Sequence, residues 1–303
     1  MNIFRRLPVV FIYLFAIALL AACAQPTPVP TQRPVPVTAA TATPQTAESP
    51  TSNGPTLALY DGHLHYSSDV WANYPVSKIK SLLDQVGIKR ALVSSTPNEG
   101  TVRLYQADPN RIIPEVRPYR TRDDMGNWFS NPQIVAFVEQ ELERGIYRGI
   151  GEFHLNSDDA KTPVVQRIVD LAVERNLPLH AHSNQAAIEN LFAANPKVKI
   201  MWAHTGMSVS PDDVAQMLER NPNLWAELSY RSDIASNGKL TPEWRALFLR
   251  FPNRFVYGSD TWVESRWDGL PNLILSARGW LAELPTDVAA NIATRNLESL
   301  YGQ

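Results

Sequence analysis

The chain has 1 cysteine, Cys23, and 6 histidines in 303 residues. A lone thiol excludes an internal disulfide framework and any metal site built on several cysteines. After Arg5 and Arg6 there is no run of Lys or Arg, and the net charge is -2. That balance lacks the basic footprint of a nucleic-acid-binding surface, so no nucleic-acid partner is expected. Long apolar runs are also missing. The N-terminal one, Leu7 to Leu20, is about 14 residues and is interrupted by Pro8, short of the ~20 that cross a bilayer. No internal repeat is visible.

What the N-terminus does contain is a positive start at Arg5 and Arg6, the short apolar run, and the small-residue ending "LAAC" at Leu20 to Cys23. This order reads as an export signal over residues 1–22. "LAAC" resembles the bacterial lipobox, which implies cleavage before Cys23 and a lipid on its thiol. Ala24 rather than aspartate follows, and the same resemblance implies the outer membrane where a cell has two. Pro26 to Pro55 holds 8 of the 24 prolines and almost no large apolar residue. Such a segment cannot bury enough surface to offset its ordering entropy, so residues 23–55 are expected to form a disordered tether. At ~3.1 Å per residue it reaches about 90 Å. The expected location is extracytoplasmic, with the lipid anchor as the only membrane contact.

Residues 56–303 are long enough for one large core, near the typical length of a (β/α)8 barrel. Short β-rich runs alternate with amphipathic helical patterns. The strand candidates are "TLALYDGHLH", "RALVSS", "RIIPEVRP", "YRGIGEFH", "LPLHAHS", "VKIMWAHTG", "LWAELSY" and "RFVYGSD". Helices are expected at Val76 to Val86, Gln133 to Arg144 (ended by Gly145), after Thr162-Pro163, after Ser210-Pro211 and after Thr241-Pro242. Two more are expected at Leu270 to Leu284 and Asp287 to Leu300, and the connection Thr96 to Asn110 carries the weakest helical signal. Eight strands mostly separated by helices predict an α/β fold, a TIM barrel rather than an open sheet.

Every histidine falls at the C-terminal end of one of these strands. His63 and His65 end the first, His154 the fourth, His180 and His182 the fifth, and His204 the sixth. Glu152 lies two before His154, and Asp260 ends the eighth. In a parallel barrel these ends meet at one face. Residues i and i+2 of a strand share a side, so His63 with His65, Glu152 with His154, and His180 with His182 can each point inward together. Imidazoles and carboxylates without thiolates suit zinc, manganese, nickel or iron. Arg117 and Tyr119, Tyr230 and Arg231, and Trp262 follow strands three, seven and eight on the same face. Arg117 and Arg231 are candidates to clamp a substrate carboxylate or phosphate.

Together "DGHLH", "GEFH", "PLHAH", "AHTG" and "YGSD" resemble the amidohydrolase superfamily, nearest its amidohydrolase-related and TatD-like branches. The resemblance spans Asp61 to Asp260 and implies a metal-dependent hydrolase acting on a small-molecule ester, amide or lactone. It implies one or two divalent cations, with zinc the first expectation. By position, His63, His65, His182, His204 and Asp260 match its metal ligands. Glu152 stands where two-metal members place a bridging carboxylate, and no lysine is there to carry a carbamate. Asp260 would also be the general base, and His204 would orient water or polarise the carbonyl. His154 and His180 depart from the simplest pattern and are expected to face substrate, His180 more as a support for the ligands. A second expectation is a non-oxidative decarboxylase of the aminocarboxymuconate-semialdehyde type. A third is a surface lipoprotein that binds metal without catalysis. Oligomeric state is open.

Overall fold

A computed structural model describes residues 57–302. The export signal, Cys23 with its expected lipid, and the tether of residues 23–55 lie outside the described residues. Eight parallel strands run in sequence order around a barrel: β1 Leu59–Leu64, β2 Ile88–Val93, β3 Ile112–Val116, β4 Gly149–Leu155, β5 Leu179–Ser183, β6 Ile200–Trp202, β7 Leu224–Glu227 and β8 Phe255–Val256. Helices α1 Val76–Val86, α2 Glu99–Ala107, α3 Gln133–Leu142, α4 Pro163–Glu174, α5 Gln185–Ala194, α6 Pro211–Arg220 and α7 Pro242–Arg250 fill the connections. After β8 come α8 Glu264–Leu281, α9 Thr286–Ala290 and α10 Asn296–Tyr301, the last two joined by a π turn at Asn291–Arg295.

Local chemistry accounts for most boundaries. Thr162 accepts from the Val165 amide at 3.4 Å and Pro163 takes the first turn of α4; Ser210 and Pro211 repeat this at α6, with a 3.2 Å bond from Asp213. Such caps satisfy amides that the helix itself leaves unpaired. Helix α4 buries Val165, Ile168, Val169 and Ala172 against the sheet. Three helices differ from expectation. The weak segment after β2 is helical as α2, α5 occupies the β5–β6 connection, and α8 begins at Glu264 with Pro271 inside it.

The seam between β8 and β1 is closed by two backbone bonds: Gly62 N donates to Tyr257 O at 2.8 Å and Asp260 N to His63 O at 2.7 Å. Gly62 permits this approach, because a Cβ there would overlap Val256 and lie 3.0 Å from the Tyr257 carbonyl. The N-terminal mouth of the barrel is plugged. Leu92, Ile113, Met201 and Val256 from the strands pack with Leu297, Leu300 and Tyr301 of α10. Above this plug the interior turns polar: Tyr301 donates to Glu115 Oε1 at 2.6 Å, and Glu115 Oε2 lies 3.0 Å from His180 Nδ1. Among the described residues the plug thus leaves the C-terminal face as the open end of the barrel. Among the described residues no helix is long and apolar enough to cross a membrane.

Candidate metal centre

The strand ends bring His63, His65, Glu152, His182, His204 and Asp260 to one place. On β1, His63 and His65 point inward by strand alternation. His63 Nδ1 lies 3.0 Å from Glu227 Oε2, and His65 Nδ1 lies 2.7 Å from the Ser94 carbonyl. A carbonyl only accepts, so His65 carries its proton on Nδ1, and the Glu227 carboxylate selects the same tautomer for His63. In these neutral tautomers both Nε2 atoms present lone pairs, and they face each other at 3.1 Å. Asp260 Oδ1 sits 3.2 Å from His65 Nε2 and 3.7 Å from His63 Nε2; Glu152 Oε2 sits at 3.2 and 3.6 Å from the same atoms.

Four lone-pair donors converging in a buried space repel unless a cation lies between them. Asp260 Oδ1 is buried and has no hydrogen-bond partner. The spacing fits a metal ion: bonds of ~2.0–2.1 Å in a tetrahedron put ligand atoms ~3.3 Å apart. Without a metal, protons answer the same demand. Burial opposes charge on His63, but Asp260, Glu152 and Glu227 outweigh it and raise its pKa well above the usual imidazole value. Burial likewise opposes ionisation of Asp260, but His63 and His65 hold its carboxyl below the usual range.

A second group shares Glu152. His182 Nδ1 is 3.0 Å from Glu152 Oε1, His204 Nε2 is 3.5 Å from the same oxygen, and the two nitrogens are 3.2 Å apart. Asp260 Oδ2 stands 3.8 Å from His204 Nε2. Glu152 thus turns one oxygen to each histidine pair, an arrangement of His, Glu and Asp side chains compatible with metal binding.

The backbone is bent to make this possible. His204, Thr205 and Asp260 have φ of 55, 47 and 50°, in the left-handed region where residues with a Cβ are strained. Glu227, which the sequence reading did not single out, anchors the bend. Its Oε2 accepts from the His204 amide at 2.9 Å while holding His63 Nδ1, and Ser229 Oγ donates to the same oxygen at 2.9 Å. Ser229 Oγ in turn lies 2.8 Å from His204 Nδ1. Burial opposes charge on Glu227, but His63 and His204 pull its pKa down to about 2. Gly258 makes room for it, since a Cβ there would overlap Glu227 Oε1. Fixing the tautomer and angle of metal-ligating histidines typically changes metal affinity 10–100-fold. Glu227→Gln is therefore expected to weaken metal binding by about 10- to 100-fold, measured by competition with a chromophoric chelator. An unchanged affinity would remove this role.

Several expectations need correction. Arg231 does not reach the cavity. Its Nε and Nη2 bond Asp233 at 2.9 and 2.7 Å, Nη1 and Nη2 reach the carbonyls of Thr205 and Val209, and its guanidinium stacks on Trp244. It braces the loop after β6. His180 does not line the cavity and stands where a support for the ligands was expected. It lies one layer down, edge-on to His63 at 4.5 Å between ring centres, with Nδ1 on Glu115. Arg117 does line the cavity, but its Nε bonds the Glu152 carbonyl at 2.7 Å and its Nη2 bonds Glu152 Oε2 at 2.9 Å. His154 lies at the cavity wall, 4.3 Å from the His182 ring centre and with Nδ1 3.2 Å from Tyr119 Oη. Burial lowers its pKa to about 4, so it is neutral near pH 7.

The cavity above the cluster is about 370 Å³ and is lined by His65, Glu152, His182, His204 and Asp260, with Met125, Met207, Tyr230 and Trp262 higher up. An eight-stranded barrel carrying this cluster at its C-terminal face has the architecture of a metal-handling α/β-barrel protein. Residues 60–303 match the amidohydrolase family, and the chain belongs to it. The fold is also that of solved barrels. A TatD homologue of Escherichia coli K12 is 14% identical, with a TM-score of 0.58 over 82% of this chain and 100% of that one. An amidohydrolase of Burkholderia multivorans with bound zinc is 14% identical, with a TM-score of 0.54 over 81% and 99%. A TIM-barrel protein of Bordetella bronchiseptica is 11% identical, with a TM-score of 0.56 over 77% and 86%. No curated protein matches the chain.

Proposed function

We propose that the protein is a metal-dependent hydrolase of small carbonyl substrates, built for two divalent cations. The observation that carries this reading is the facing pair of imidazole nitrogens, His63 Nε2 and His65 Nε2 at 3.1 Å, beside Asp260 Oδ1, which has no hydrogen-bond partner. His63, His65 and Asp260 would hold one cation, His182 and His204 the other, with Glu152 offering one oxygen to each. Such cations, zinc or its neighbours in the series, supply Lewis acidity and bring the pKa of water toward ~7.

The chain's own groups do the rest. Asp260, kept ionised by its neighbours, accepts a proton from the attacking water and returns it to the leaving group. His204, fixed by Ser229 and Glu227, sets the angle of the second ligand pair. Arg117 holds the Glu152 carboxylate in register. The cavity limits the substrate to a small molecule. The chain would work outside the cytoplasm, tethered through a lipid on Cys23.

Chelation of the purified protein is expected to abolish turnover of an ester or lactone panel and to lower the melting temperature, since a ligand bound only to the native state stabilises it. Zinc, manganese, nickel or iron added back would restore both. Turnover that survives complete removal of metal would defeat the reading, and a decarboxylase would appear instead as release of carbon dioxide with no ester cleaved.

A further inference from the structure

The cavity carries a second message in its upper half. Five large apolar side chains are exposed among the described residues, and three of them, Met207, Tyr230 and Trp262, line this one cavity. They are 47, 41 and 46% exposed, as expected of groups that meet a ligand rather than a core. Their positions are built. Met207 and Tyr230 both have positive φ, 64 and 59°, which is rare for bulky residues and concentrates at ligand sites. The Tyr230 ring lies under the Arg266 guanidinium at 4.2 Å, and Trp262 Nε1 donates to Tyr230 Oη at 2.7 Å. Arg266 also donates to the Asp260 carbonyl at 3.2 Å. The aromatic rim is thus tied to the backbone of the proposed base.

Charge gives the complementary fact. Two guanidinium groups line the cavity, and each is matched to an acid: Arg117 to Glu152 and Arg122 to Asp69. A substrate carboxylate or phosphate would have to draw Arg117 off the buried Glu152 or Arg122 off Asp69, so neither guanidinium in the lining is free to receive it.

Resting on the hydrolase reading above, we infer that the substrate is an uncharged ester, lactone or amide bearing an aromatic ring or an alkyl chain, seated against Met207, Tyr230 and Trp262. For an ester, water adds to the carbonyl carbon, the bond to the leaving oxygen breaks, and the proton held by Asp260 goes to that oxygen, giving an acid and an alcohol.

The test uses the full chain loaded with zinc and three methyl esters: the acetate, the 3-phenylpropanoate and the 3-(4-carboxyphenyl)propanoate. The phenylpropanoate is expected to exceed the acetate about tenfold or more in kcat/KM, and its carboxylated analogue to fall about tenfold or more below it. Trp262→Ala is expected to bring the phenylpropanoate-to-acetate ratio toward one, chiefly through KM. Equal rates for all three esters, or preference for the carboxylated one, would overturn the inference while leaving the hydrolase intact. A non-hydrolysable phenylalkyl ketone and its carboxylated form, followed by Trp262 fluorescence, read the cavity independently of chemistry. Should no ester turn over, tighter binding of the plain ketone would still uphold the cavity's preference and equal binding would overturn it, while the hydrolase reading is decided by the chelation experiment above.

Discussion

Asp260→Asn is expected to lower kcat by about a thousandfold, within the range of 10²–10⁴ that a positioned base contributes. That corresponds to about 4 kcal/mol of activation free energy. The substitution is clean for a backbone reason. Asp260 has a φ of 50°, and asparagine is among the few residues that adopt this region readily, so the strand end is expected to keep its course. Alanine would add strain to the loss of the carboxylate and confuse the two. The amide keeps an oxygen for a metal but has no basic oxygen to take a proton. The measurement is kcat at saturating zinc, with metal content determined on the same sample. A variant that holds its metal and turns over at the parental rate would end the assignment of Asp260 as base.

The same residue shows why the site was legible from strand-end patterning. Five of the six histidines lie at the C-terminal end of a strand or just beyond it, with His180 deeper in β5, and a parallel barrel collects those ends on one face. The i, i+2 spacing of His63 and His65 then fixes their shared direction, and both are found facing the same point. The helical patterns with proline after a small hydroxylated residue were equally readable, because capping is a local matter.

What escaped the sequence is what depends on contacts between distant segments. Helix α2 has Gly100 near its start, and glycine weakens a helical signal; a Cβ there would overlap the Tyr66 carbonyl, so the helix is tolerated for how it packs rather than for its propensity. Pro271 reads as a first-turn residue, which misplaces the start of α8 by six residues, from Glu264 to Leu270. Glu115 lies inside β3 and Glu227 ends β7, and in a strand sequence an acid looks like an ordinary solvent-facing residue. Only the barrel interior shows them to be buried partners of His180 and His63. Alternation held a usable signal for Glu227, as it stands at a strand end like the histidines. Arg117 and Arg231 look alike in sequence, yet one binds the shared carboxylate and the other a loop, because acids remote in the chain decide where a guanidinium goes.

That dependence makes Glu152→Gln the other variant of large effect. In the native protein Glu152 is buried, and although burial alone would raise its pKa, His63, His182 and His204 hold it well below the usual range. Its Oε2 also accepts from Arg117. A glutamine there has one oxygen and one NH2 group to place. Arg117 has only donors, so the oxygen goes toward it, and the NH2 group replaces Oε1, 3.0 Å from His182 Nδ1 and 3.5 Å from His204 Nε2. It would donate to the nitrogens that the second cation needs. Metal content is therefore expected to fall from two to one per chain, with the remaining ion at His63, His65 and Asp260, and kcat to fall about a hundredfold or more. Arg117 is also left without its charged partner, an expected loss of about 3–5 kcal/mol of stability. Adding Arg117→Met separates the two effects. Stability should return in the double variant, since no buried cation remains unpaired, while the second metal should not. Two ions retained in Glu152→Gln would show that this carboxylate does not join them; a second ion regained with Arg117→Met would make the arginine, and not the carboxylate, the gate to the second site.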